Sequence, residues 1–176
     1  MKSAYQPYKW LVVIPFVFVT TMVMGLLCIL AGWLLGQESA NIFAVLWSRA
    51  CCGAVPLKVN LKGRKNYIRN GSYVVVANHQ SMADIPIIHG FMGLKIKWVM
   101  KKELDKIPVF GAACHTLGCI FVDRSNRPAA IQSIHDAMDT LGKDAAVLLF
   151  AEGTRSRDGK LLPFKKGASI FAAETG

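Results

Sequence analysis

Three short blocks of this 176-residue chain carry side chains able to move a proton or hold an anion: Asn78-His79-Gln80-Ser81-Met82-Ala83-Asp84, Phe121-Val122-Asp123-Arg124 and Glu152-Gly153-Thr154-Arg155. In the first, an imidazole and a carboxylate stand five residues apart. On one continuous helix that spacing turns the two side chains about 140° away from each other, so they cannot pair there. If His79 lies in a strand-to-helix turn and Asp84 opens the helix, the carboxylate folds back to one ring nitrogen. It then fixes the tautomer and leaves the other nitrogen to accept a proton. That is a general base with an orienting partner. Each residue also has a plainer reading, Asp84 as a cap ahead of Pro86 and His79 as a loop histidine. No serine, cysteine or lysine has the setting of an activated nucleophile, and Ser81, two residues from His79, suits a turn or cap. Direct transfer is therefore expected, without a covalent intermediate.

The second and third blocks each place an arginine after an apolar run, where a guanidinium can grip phosphate oxygens with two parallel hydrogen bonds. Gly153 permits close backbone approach, Thr154 offers a hydroxyl, and Glu152 can hold Arg155 or a ligand hydroxyl. The alternative is that Asp123 with Arg124, and Glu152 with Arg155, are surface ion pairs of little energetic weight. Lys101, Lys102, Lys165 and Lys166 add positive charge near the same edge and suit the steering of anionic substrates; Lys101 joins the substrate-binding set. The five cysteines are odd in number and form no CxxC pair, which suggests neither a disulfide framework nor a zinc site and favours a reducing, cytoplasmic setting. No metal is expected.

Short apolar or β-branched runs at residues 56–61, 72–77, 96–100, 119–122 and 146–150 read as buried strands. Between them, residues 84–92, 109–117 and 128–141 carry helical spacing, the last opening on Pro128 and closing before Gly142. This alternation predicts an α/β fold, a mostly parallel sheet flanked by helices, whose ligand sites lie beyond the carboxyl ends of the strands. All three chemical blocks fall there. Residues 168–174 start a further helix, and another strand is expected beyond residue 176.

Residues 11–36 hold no charge and are rich in Val, Leu, Ile, Met and Phe, longer than the roughly 20 residues that cross a hydrocarbon core as helix. They predict an amino-terminal membrane anchor rather than a cleaved leader, whose apolar core would be shorter. Lys2 and Lys9 precede the segment, and Arg49, Lys58, Lys62, Arg64, Lys65 and Arg69 follow it, so the preference of basic residues for the cytoplasmic side pulls at both ends. A single span is one solution; a hairpin bending near Gly25, with Trp10, Trp33 and Trp47 at interfacial depth, is the other. Residues 41–52 form a second helix, along the membrane surface or over the domain core. The division expected is 1–52 for anchor and interfacial helix and 53–176 for the α/β domain.

The net charge of +10 lies almost wholly outside the apolar segment and attracts anionic surfaces or phosphorylated substrates. Nucleic acid is not expected: the basic residues are not interleaved with exposed aromatics, and no helix-turn-helix or RNA-recognition signature is present.

NHQSMAD, FVDR and AEGTRS, in this order and with KKELDKIPVFG between the first two, resemble the glycerolipid acyltransferase family, in particular the bacterial 1-acyl-glycerol-3-phosphate acyltransferases. The resemblance covers residues 56–176. It implies His79 as catalytic base with Asp84 as its partner, and Arg124, Glu152, Gly153, Thr154 and Arg155 in acceptor-phosphate binding. It also implies a lysophospholipid acceptor, acyl-CoA or acyl carrier protein as thioester donor, no further cofactor, and a site at the cytoplasmic face of the inner membrane. The family's fourth motif, a Val-Pro-Ile-Val-Pro-like strand, is expected just after residue 176, so the α/β domain is expected to be incomplete at its carboxyl end. Two other functions fit parts of the pattern. A lipid hydrolase would use the same base on water, and a non-catalytic lipid-binding protein would need only the anchor and the basic face.

Overall fold

The apolar run before the third block forms β4 (Ala145–Phe150), buried along nearly its whole length in a computed structural model that describes residues 2–55, 57–69, 71–123, 125–140, 144–156, 159–165 and 173. It pairs in parallel with β1 (Tyr73–Ala77) on one side and β2 (Lys95–Lys101) on the other, and β3 (Ile120–Val122) pairs in parallel with β2. The sheet order is β1-β4-β2-β3. Helices α4 (Asp84–Phe91), α5 (Phe110–Thr116) and α6 (Arg127–Thr140) make the crossovers. The chain steps outward from β1 to β2 to β3 and then returns to insert β4. Right-handed connections therefore place α4 and α5 on one face and α6 on the other.

Alternation along the strands fills both layers. Ile96, Trp98, Ala146 and Leu148 pack under α4 and α5 with Ile85, Ile88, Phe110 and Phe150, while Val147, Leu149, Ile120 and Val122 meet Ile134 and Ala130 of α6. The α/β expectation holds. Residues 57–61, expected as a strand, pair with nothing in the sheet; Leu57 and Leu61 stand 44% and 41% exposed. Pro56 lies outside the described residues, as does nearly all of the helix expected at 168–174.

The amino-terminal segment is helical without a break as far as Leu35, and its 31 residues Tyr5–Leu35 contain an 18-residue stretch with a mean hydropathy of 2.6, 11% of it buried, long and apolar enough to cross a membrane. It comprises α1 (Lys2–Tyr8), a single π-helical turn at Lys9–Val13 and α2 (Ile14–Leu35). The wide turn ends just before Pro15, whose ring would clash with a carbonyl of a regular turn. The chain then reverses at Gly36, not at Gly25. Gly36 has φ 88° and ψ 171°, a region closed to residues with a Cβ, and α3 (Gln37–Gly53) folds back along α2. Trp47 gives its indole N–H to Thr21 Oγ1 at 3.0 Å, and the Tyr8 hydroxyl donates to the Ala54 carbonyl at 2.8 Å. The turn is held against the α/β domain: Lys97 donates to Gln37 Oε1 at 2.7 Å, and Lys95 pairs with Glu38 at 2.5 Å and also with Asp144.

Gly25 serves a different purpose from a bend, since a Cβ there would lie 2.7 Å from Val109 Cγ1. Val109 itself holds φ +62° in a γ-turn closed by Phe110 N–H to the Pro108 carbonyl at 2.6 Å, a strained state for a β-branched residue. At Gly32 an added Cβ would come closer still, against Thr116 Cγ2. These contacts run α2 parallel to α5, so residues before Gly25 continue past the carboxyl edge of the sheet. Gly32→Val is expected to destabilise the protein by about 1–3 kcal/mol through overpacking. Thermal unfolding in detergent measures this, and an unchanged midpoint would mean that α2 does not pack on α5.

Candidate active site

β1 ends at Ala77 beside β4's Phe150, and the two strands release their following segments into the same space. The segment after β1 turns through residues 78–83 and enters α4 at Asp84. There the Asp84 carboxylate folds back: Oδ2 accepts the backbone N–H groups of Gln80 and Ser81, both at 2.8 Å, and lies 2.9 Å from His79 Nδ1. Burial alone would raise the carboxyl's pKa, but the Ser81 and Gln80 amides and the imidazole outweigh it and hold Asp84 below the usual carboxylate range. An ionised carboxylate only accepts, so His79 Nδ1 carries a proton, and in the neutral imidazole Nε2 is the nitrogen that keeps the lone pair. The turn-then-helix geometry expected from the five-residue spacing is the one observed. Ser81 serves the turn, its Oγ accepting the Ala83 N–H at 3.1 Å.

The segment after β4 braces this turn from beneath. Ala151 N–H donates to the Ala77 carbonyl at 3.0 Å, and Ser156 N–H to the His79 carbonyl at 3.0 Å. Glu152, only 2% exposed, accepts His79 N–H on Oε1 at 2.8 Å and Leu162 N–H on Oε2 at 3.0 Å. The sequence offered Arg155 or a ligand hydroxyl as its partner; the structure gives both carboxylate oxygens main-chain donors. Phe150 lies face to face with the imidazole, ring centroids 3.8 Å apart and planes 10° apart. Neither Phe150 nor the amide partners of Glu152 emerged from sequence reasoning. Phe150's one signal was its place as the last residue of the strand that feeds the third block.

Gln80, Thr154, Arg155 and Ser156 line a polar cleft of about 270 Å³ beside His79. Gly153 turns the chain at φ +69°, and the Lys165 ammonium lies over it. Thr154 and Arg155 are exposed, and no ion pair among the described residues engages Arg155. Lys101 stands at the carboxyl end of β2, 2.9 Å from Glu103, and does not line the cleft. Asp123 accepts the N–H and hydroxyl of Ser125 at 2.9 and 2.5 Å, closing the turn after β3. Arg124 and Lys166 lie outside the described residues. His79, Asp84, Glu152, Gly153, Thr154 and Arg155 are thus brought to one place.

Comparison with known proteins gives the same location a family. Residues 58–176 match the model of the acyltransferase family. The chain is 37% identical over 103 residues to a 1-acyl-sn-glycerol-3-phosphate acyltransferase of Helicobacter pylori, covering 58% of this chain and 44% of that protein. It is 37% identical over 138 residues to the chloroplastic enzyme of the same name, LPAT1, from Arabidopsis thaliana, covering 77% and 38%. The chain thus spans less than half the length of these relatives. The crystal structure of the 1-acyl-sn-glycerophosphate (LPA) acyltransferase PlsC from Thermotoga maritima superposes with a TM-score of 0.84 at 26% identity, covering 100% of this chain and 72% of that one. A family match over most of the sequence, a shared parallel fold and relatives above 30% identity agree with one another, and this chain belongs to the acyltransferase family.

Proposed function

We propose that this protein transfers a fatty acyl group from a thioester, acyl-CoA or acyl carrier protein, to the free hydroxyl of a lysophospholipid, foremost 1-acyl-glycerol-3-phosphate, to give phosphatidic acid. The observation that carries this reading is the 2.9 Å contact of His79 Nδ1 with Asp84, beside a cleft that holds Arg155. Nε2 takes the proton of the acceptor hydroxyl as its oxygen attacks the thioester carbonyl. The carbon–sulfur bond then breaks, and the leaving thiolate takes the proton back from Nε2. Asp84 stabilises the imidazolium between these steps. Arg155, with Thr154 and the Lys165 ammonium, grips the acceptor phosphate, Lys101 adds positive charge from the end of β2, and Arg124 joins them in the role that the family resemblance implies. None of these steps calls on a metal or a bound cofactor.

The apolar helix anchors the protein in the inner membrane, with the α/β domain on the cytoplasmic side that its basic residues 58–69 favour. Because α2 leaves the domain at the edge where His79 lies, a lipid acceptor reaches the base from the bilayer while a soluble donor arrives from the cytoplasm. The test incubates the purified protein with labelled acyl-CoA or acyl carrier protein and a panel of lysolipids. Acyl transfer to lysophosphatidate supports the reading. Release of free fatty acid without an acceptor would make the protein a hydrolase, and binding without turnover would make it a lipid-binding protein. Arg155→Ala is expected to raise the acceptor KM about tenfold, the weight of one charge-assisted contact of about 1.5 kcal/mol; an unchanged KM and rate would remove Arg155 from phosphate binding.

A further inference from the structure

Phe150 sits directly under the histidine on which the proposed reaction turns. Its ring is parallel to the imidazole within 10° at 3.8 Å. On its other side it packs against the buried Trp98, ring centroids 5.7 Å apart, and Trp98 is itself fixed by an indole N–H bond of 3.1 Å to the buried His89. An aromatic face carries negative potential and attracts a cation lying within about 6 Å of its centroid, whereas a neutral ring stacked there is held chiefly by dispersion.

His79 passes between those two states when it acts as a base, neutral before proton transfer and imidazolium after it. We infer that Phe150 is a positioning residue that acts through His79, fixing the plane of the imidazole and stabilising the imidazolium as it takes up the acceptor proton. The interaction is stronger with the charged form, so it favours the transition state over the ground state and raises kcat. Asp84 holds the ring by its Nδ1 edge and Phe150 holds it by its face, which leaves Nε2 as the working edge. The inference rests on His79 being the base.

The experiment installs 4-fluoro-, 3,5-difluoro- and pentafluorophenylalanine at position 150 of the full chain. Added fluorines withdraw the negative potential of the ring while nearly keeping its shape. Lysophosphatidate and acyl-CoA are the substrates, and Phe150→Leu and Phe150→Tyr are measured alongside. The expected result is a stepwise fall in kcat along the series, reaching about two- to thirtyfold, equivalent to about 0.5–2 kcal/mol. The acceptor KM stays constant, Phe150→Leu falls as far as the last member, and Phe150→Tyr keeps most of the activity. A purely packing role would leave kcat flat along the series, or falling only in step with the thermal midpoint, and either result overturns the inference while His79-dependent activity stands. Activity that survives His79→Ala would overturn the base assignment, and this inference with it.

Discussion

His79→Ala is expected to lower acyl transfer by about a hundred- to ten-thousandfold while leaving the protein folded. A positioned general base contributes on the order of 10²–10⁴ in rate, and the described cleft offers no second imidazole to replace it. The loop should survive the substitution because it is held by its main chain: His79 N–H on Glu152, the His79 carbonyl on Ser156, and Ala77 on Ala151. None of these uses the imidazole. Asp84 keeps the Gln80 and Ser81 amides and so remains a charged, satisfied start to α4. Turnover of labelled donor with lysophosphatidate, read beside a thermal midpoint, checks both halves of the expectation. Turnover within tenfold of the parent would show that another group removes the proton.

Much of the framework is local and was legible for that reason. The strands at 73–77, 120–122 and 145–150 are apolar runs and that at 95–101 has an apolar centre at 98–100, all too short for helices, and turn residues or helical periods divide them. The His79 and Asp84 contact followed from the same local logic, because only a turn that becomes a helix brings residues five apart together. What escaped was non-local. Residues 57–61 alternate Leu, Lys, Val, Asn, Leu like a half-buried strand, but alternation does not supply a neighbour, and the sheet has none for them. A glycine inside an apolar helix signals either a bend or a close approach. At Gly25 the deciding atom, Val109 Cγ1, lies 84 positions along the chain. Gly36, where the chain does reverse, differs in being followed at once by Gln37 and Glu38, which bond Lys97 and Lys95 of the domain.

The site divides in the same way. Side chains that meet a ligand announce themselves by type, whereas the groups holding them do so by position. Phe150 looks like one more apolar residue at the end of a strand. Glu152 looks like a ligand-facing carboxylate because it stands in Glu-Gly-Thr-Arg, yet its observed partners are main-chain amides 73 and 10 residues away, and an amide leaves no mark in a sequence.

That difference makes Glu152→Gln the sharper test of how the site is built. The amide side chain keeps one accepting oxygen and turns an NH₂ toward the other main-chain donor, leaving a buried N–H unpaired and facing a second donor. The loop carrying His79 must then shift, and a displacement of about 1 Å between base and acceptor hydroxyl costs on the order of a hundredfold in rate. The expected result is therefore a kcat about a hundredfold lower with the acceptor KM within about twofold of the parent, in a protein whose thermal midpoint still shows a cooperative transition. A residue that bound the acceptor alike in ground and transition states would give the reverse, a raised KM and an unchanged kcat. In Arg155→Ala the reverse pattern is the expected one. Measured side by side, the two substitutions separate the group that grips the lipid from the group that holds the base, although only two residues divide them in the chain.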